Sequence, residues 1–471
     1  MFTYREMNEK VALSIWLLKT FVCLPLSRVV FRSFVRSFLC RCPIRNHHQA
    51  CFMFCGDDTG AVIGEIGGRY SLFGNAGDAL PKYMTPSDMA YDANDSSACK
   101  GVGEVAVGFH CLQGNTALKN PMKDGDIDDW DCVEKLWEGF YENRERGPSK
   151  ESPAMAVLPS WAPLEDTAKY AEILFETFEV PHAWFQRKAS ASAFASGRPT
   201  ALVLDSGRQG SSTVPVYEGH VLLKGVRRSK LGGDVLSGEL LKAIEKTGAK
   251  VRPSFTFRKE PQSDGTVLTP DVDASHVDSA YLEFCKLQIA ADAKEYFCTM
   301  PRTPFNKALA EKVPADVFEL PDGNHVDLRL CRYTVPELLM DCSPLRSSGG
   351  GSSGSDSDSN GRDFVSLPEL IAESLSCSSV DIRKTLANNC ILAGGNNCFK
   401  GIQQRLNLEC NSILPKALNM RFVTPGRLES RVSAWTGGSI LASLGSFQQL
   451  WVSKEEYEES GVKVLKNRCW K

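Results

Sequence analysis

The chain has 471 residues, 42% of them hydrophobic and 24% charged, with a formal net charge of −3. That length implies two or more lobes, not one small core, and the near-neutral balance excludes a global basic field that would draw the chain onto nucleic acid. The 17 cysteines are odd in number, scattered and without a C-x-x-C pair, so they read as reduced thiols of a cytosolic or nuclear protein and exclude a small disulfide-stapled secreted domain.

The first segment, 1–52, differs from the rest. Val11 to Leu26 is largely apolar but broken by Lys19, and Arg28, Arg32, Arg36, Arg41 and Arg45 follow with no acidic residue before Asp57. The apolar run is too short and interrupted for a membrane-spanning helix. A presequence or a membrane-proximal helix is one reading; the favoured one is translated upstream sequence with Met53 as the start, because an organised pattern begins directly after it. Cys40, Cys42, His47, His48, Cys51 and Cys55 are too compressed for a structural zinc site, whose ligand pairs are separated by a longer loop, and no metal is expected there.

A first glycine turn lies in Ala61 to Phe73, where apolar residues run into Glu65, then Gly67-Gly68, then apolar residues resume. This is strand, tight turn, strand. Asp128 and Asp129 stand before Trp130, Val133, Trp137 and Phe140, a helix start followed by one apolar face, and Thr167 to Phe178 repeats the pattern up to Pro181. Ala201 to Tyr217 then repeats the first turn: an apolar strand ending at Asp205, the turn Gly207-Arg208-Gln209-Gly210, and a second strand. The likeness of the two hairpins predicts an internal duplication with one hairpin per lobe. Facing each other, they form a clamp whose backbone N–H groups suit phosphates, with Glu65 and Asp205 toward a magnesium ion held through water.

Residues 347–362 are Gly/Ser-rich and read as a mobile surface insertion. The formal G-x-S-x-G match inside it lacks the strand and helix that a nucleophile elbow needs. A third glycine turn, Gly394-Gly395-Asn396, follows the apolar Cys390 to Ala393 and precedes a helix through Ile402 and Leu406; near the end, Ser453 and Glu456 form a capping box and Gly461 can close that helix. The sequence has no G-x-x-x-x-G-K-[ST] and no H-E-x-x-H, which excludes a P-loop nucleotidase and a zincin protease.

Ala195-Ser196-Gly197-Arg198-Pro199-Thr200, Leu204-Asp205-Ser206-Gly207, Thr213 to Gly219, and the run from Trp435 through Gly437 and Gly438 to Tyr457 resemble the actin family, the last almost residue for residue. Met53 to Ala61, Lys123-Asp124-Gly125 and Lys188 are similar to the nuclear actin-related proteins of the fourth class. The resemblance spans 53–471. It implies the α/β fold shared by actin, Hsp70 and sugar kinases, with two ribonuclease-H-like lobes around a central cleft for ATP and magnesium. It places Glu65, Gly67 and Gly68 on a first phosphate loop; Asp205, Ser206, Gly207 and Gly210 on a second, with Asp205 toward magnesium through water; Gly233 beside the nucleotide; Gly394, Gly395 and Asn396 beneath base and ribose; and Arg431 beside the adenine.

Departures from the family pattern bear on activity. Glu65 stands for an aspartate, Arg69 and Leu72 for a small residue and a phosphate-contacting lysine, and Lys188 and Ser212 for the glutamine and histidine that orient the attacking water. Such help is worth about 10²–10⁴-fold, so nucleotide binding with slow or absent hydrolysis is expected. The resemblance further implies a structural subunit of chromatin-remodelling and histone acetyltransferase complexes, in the nucleus with some in the cytoplasm. Its partners would be actin and helical segments of the remodelling ATPase or acetyltransferase scaffold, with nucleosomal DNA reached indirectly and no membrane. A partner helix would lie in a groove at Phe194, Pro199, Ile440, Leu441, Leu444 and Leu450. The alternative is a filament-forming cytoskeletal ATPase. The altered water-orienting positions and the divergent segment Ser87 to Asn115 argue against it, as the actin-like C-terminus argues against a sugar kinase.

Overall fold

A computed structural model describes residues 60–143, 147–263, 267–306, 317–348 and 363–469. The segment 1–52, with most of the cysteine and histidine cluster, and also Cys55 and residues 349–362 lie outside them; Ser347 and Ser348 close the helix Ser343–Ser348.

Two six-stranded sheets carry the architecture, and five strands of each share one order; the sixth is Val452–Ser453 beside His182–Arg187 in the first and Arg227–Ser229 beside Ser211–Tyr217 in the second. In the first, Val62–Glu65 pairs antiparallel with Tyr70–Asn75, which pairs with Tyr83–Pro86; on its other side Val62–Glu65 runs parallel to Ala154–Leu158, and that strand parallel to His182–Arg187. In the second, Ala201–Ser206 pairs antiparallel with Ser211–Tyr217, which pairs with His220–Val221 and Arg227–Ser229; on its other side Ala201–Ser206 runs parallel to Cys390–Ala393, then to Phe422–Val423. Counting from each hairpin, both sheets read third, second, first, fourth, fifth. The internal duplication inferred from two glycine turns is therefore a repeat of a whole sheet. The central strands Val62–Glu65, Ala154–Leu158 and Cys390–Ala393 are buried along their length, as strands covered on both faces must be.

The helices follow the apolar spacing. Trp130–Glu142 starts at Asp129, whose carboxylate accepts the Cys132 N–H, and it buries Val133, Leu136, Trp137 and Phe140 on one face. The helix expected from Thr167 begins earlier, at Leu164, because Pro163 is pre-set for a helix entry and Glu165 and Asp166 suit its first turn. Its end, Ile173–Thr177, widens into a π-turn, which buries the consecutive residues Ile173, Leu174 and Phe175 where a regular helix would present them to different directions. The capping box at Ser453 and Glu456 forms, and Gly461, at φ 55°, ends Lys454–Ser460 and opens Val462–Arg468. The divergent stretch after Ser87 makes a small three-stranded sheet, Met89–Asp92 with Cys99–Val102 and Thr116–Lys119, and the helix Glu104–Leu112.

Two helices join the lobes. Lys188–Ala195 leads from the first sheet into the second, and Arg427–Ala442 returns from the second toward the first. They cross in close contact: a Cβ on Gly437 would land on the Ala191 carbonyl, and the Ser192 and Ser433 hydroxyls are 3.1 Å apart. Gly437→Ala should therefore lose about 1–3 kcal/mol by overpacking. Gly238→Ala, in a helix where a Cβ meets nothing within 4 Å, should gain roughly 0.5–1 kcal/mol. Urea unfolding midpoints of the two variants check this; equal shifts would mean that the crossing is not tight.

Candidate functional site

The matching registers bring the two hairpin carboxylates to one place. Glu65 is the last residue of its strand, opposite Leu72, and Asp205 is the next to last of its own, opposite Ser212. Lys188, the first residue of the crossing helix, reaches between them: its Nζ is 3.0 Å from Asp205 Oδ2 and 3.4 Å from Glu65 Oε1. Burial alone would pull the Lys188 ammonium down, but Asp205 and then Glu65 outweigh it and hold it well above the ordinary lysine range. Burial pushes the Glu65 carboxyl up, with Lys188 opposing. The start of the helix that carries Lys188 is held by Ser160, which accepts from the Arg187 side chain through its carbonyl at 2.6 Å and from the Ala189 N–H through its hydroxyl at 2.8 Å.

Around this pair lies a cavity of about 180 Å³, lined by Glu65, Gly67, Gly68, Asp205, Gly207, Gly233, Gly394, Gly395, Asn396 and Arg431 among others. Those positions, spread over most of the chain, are thus brought together. Gly210 instead lines a wider, adjoining cavity of about 750 Å³ that shares Gly67, Gly68, Lys188, Asp205, Gly207 and Arg208 with the first. Ser206 is buried beneath the turn, where its hydroxyl meets Ser211 at 2.7 Å and Asn396 at 3.1 Å. Gly394 is required by its conformation, φ 85°, and by space, since a Cβ would fall on the Asp205 carboxylate and the Ser206 carbonyl. Not every glycine amide faces the cavity: the Gly207 N–H bonds the Gly210 carbonyl at 2.9 Å and the Gly233 N–H the Gly207 carbonyl at 2.8 Å.

Three charged residues of this region, Arg208, Glu295 and Lys294, escaped the sequence reading. Arg208, on the second turn, crosses to the first lobe and donates to the Gly68 carbonyl at 2.9 Å and to Asp88 at 2.7 Å, while its Nε holds Asp234 at 3.0 Å. Glu295 ties Arg69 at 2.7 Å to Arg431 at 2.6 Å at the solvent edge of the cavity. Lys294 is buried and donates to the Gly233 carbonyl at 2.7 Å and the Ser237 hydroxyl at 2.9 Å. The one sequence signal was the cluster of small residues Ala290, Ala291 and Ala293 beside Lys294, which marks that helix face as close-packed.

The six residues proposed for a partner groove divide by burial. Phe194, Leu441 and Leu450 are buried in the core cluster under the crossing helices; Ile440 and Leu444 pack against that cluster half-buried, and Pro199 is half-buried too. Among the described residues every cysteine is a free thiol, and no cluster of three or more histidine, cysteine, aspartate or glutamate side chains could hold a metal ion.

Comparison with known proteins agrees with this geometry. The family model described as actin matches residues 56–470. A protein of Oryza sativa subsp. indica named actin-related protein 4 is 32% identical, with 88% of this chain and all of the relative covered. Its namesake in Arabidopsis thaliana is 31% identical with the same coverage. A third so named, from Yarrowia lipolytica, is 30% identical, with 88% of this chain and 96% of the relative covered.

Lys294 makes the site sensitive to pH. Burial, assisted by Arg69 and opposed by Glu295 and Asp234, pulls its ammonium down to about 8. Below that pH the charge is buried at full cost. As pH rises from about 8 toward the ordinary lysine value, the folded state gives up the proton first and stability increases, on the order of 3 kcal/mol over the window. Urea midpoints should show this rise in the wild type and not in Lys294→Met.

Proposed function

The chain belongs to the actin family, and from that premise we propose that it is a structural subunit of nuclear assemblies that remodel chromatin or acetylate histones. In this reading the cleft holds ATP with little or no hydrolysis and the surface docks on a partner helix. The observation that carries it is the Lys188 ammonium, which bridges Glu65 and Asp205 at 3.4 and 3.0 Å. A group placed to accept a proton from an attacking water is what turnover requires. Here the position holds a cation, and the neighbouring Ser212 is a buried hydroxyl, not a base. ATP would then act as a brace between the lobes, adding stability by mass action.

Members of the actin family bind nucleotide with a divalent metal. The residues of this cleft do not fit one between the carboxylates, because the Lys188 ammonium already stands there, 3.0 Å from Asp205 and 3.4 Å from Glu65.

The relatives named actin-related protein 4, matched over nearly their whole length, support the class. The half-buried Pro199, Ile440 and Leu444 are the reachable part of the proposed groove, suited to the apolar face of a helix; Phe194, Leu441 and Leu450 would support it from beneath. Actin and helical segments of a remodelling ATPase or acetyltransferase scaffold are the partners in this reading, with the nucleosome reached through them. No helix among the described residues is long and apolar enough to cross a membrane.

Affinity purification of the full chain with mass spectrometry tests the assembly: remodelling or acetyltransferase subunits support it, and cytoskeletal partners alone reject it. Ile440→Asp with Leu444→Asp should weaken capture of the partner by about 2 kcal/mol or more while leaving nucleotide binding intact. Saturating ATP, at ~100 times its Kd, should stabilise the wild type by about 2.7 kcal/mol in a thermal-shift assay, and Gly394→Val should abolish that gain.

A further inference from the structure

We propose that the Lys188 ammonium is the resident cation of this cleft, taking the place of a divalent ion between Glu65 and Asp205, so that a nucleoside polyphosphate binds here without a divalent metal. The inference rests on the nucleotide reading above and adds to it how the phosphates are neutralised.

Three observations carry it. The first is position: Lys188 contacts both hairpin carboxylates, 3.0 Å from Asp205 and 3.4 Å from Glu65, and its helix entry is fixed by the two bonds to Ser160. Its side chain is still 36% exposed, so the ammonium can meet a ligand while it neutralises both acids. The second is that the carboxylates lining the cavity are already engaged. Glu65 and Asp205 share Lys188, Asp234 is held by Arg208, and Glu295 by Arg69 and Arg431. The Glu65 oxygen that has no partner, Oε2, is enclosed away from solvent, out of reach of the hydrated form in which magnesium prefers to bind. The third is the charge of the lining. Arg69, Lys188, Arg208, Lys294, Arg427 and Arg431 face the cavity against Glu65, Asp205, Asp234 and Glu295, an excess of cationic side chains of the kind that a polyphosphate requires.

The experiment uses the full chain and a fluorescent ribose-labelled ATP, with binding followed by anisotropy in chelator and in magnesium. The wild-type Kd should agree between the two buffers within about threefold, and Lys188→Gln should bind roughly tenfold or more weakly in chelator and recover with magnesium. Lys188→Arg, which keeps the charge, should behave like the wild type and guards against a folding defect in the glutamine variant. Wild-type binding that needs magnesium overturns this inference and leaves the nucleotide reading standing. Absence of binding in both buffers overturns both.

Discussion

Two acids from opposite lobes meet in the cleft, and a single amine lets them do so. Glu65 and Asp205 lie at the ends, last and next to last, of matching strands in two equivalent sheets, so closing the lobes drives like charges together in a half-buried place, where the repulsion is poorly screened. Lys188 converts that repulsion into two attractions. The same residue opens the helix that crosses Arg427–Ala442 at Gly437. Charge at the cleft floor and packing at the lobe crossing are thus carried by one short helix, and a change in either is felt by the other.

Much of this was legible because backbone demands leave a narrow choice of residues. A strand that ends in a carboxylate and turns on glycines is visible in any sequence, and two of them, at Glu65 and Asp205, announced the repeat that the sheet order confirms. Gly394 was readable for the same reason: its positive φ and the Asp205 carboxylate at its Cα exclude any side chain. The helix starting at Asp129 could be read from its cap and its apolar spacing.

What escaped depends on contacts between residues far apart in the chain. Arg208 sits in a turn where any polar residue is acceptable; its role appears only once Asp88 and Gly68, from the other lobe, lie beside it. A lysine in a helix is normally solvated, and only the fold reveals that Lys294 is buried under Gly233. The start of Leu164–Glu172 was missed because the proline and acids before Thr167 carry no apolar periodicity. In the groove, Phe194, Leu441 and Leu450 share an apolar character with their half-buried neighbours, and composition does not separate a core residue from one at its edge.

The Arg208 contacts to Gly68 and Asp88, and the Arg69–Glu295–Arg431 chain at the rim, bear on timing. They tie the two glycine turns to each other and span the rim of the cavity, so parting the lobes requires these bonds to break. A molecule held between the lobes would then leave no faster than this latch releases. A long residence time would follow even at modest affinity.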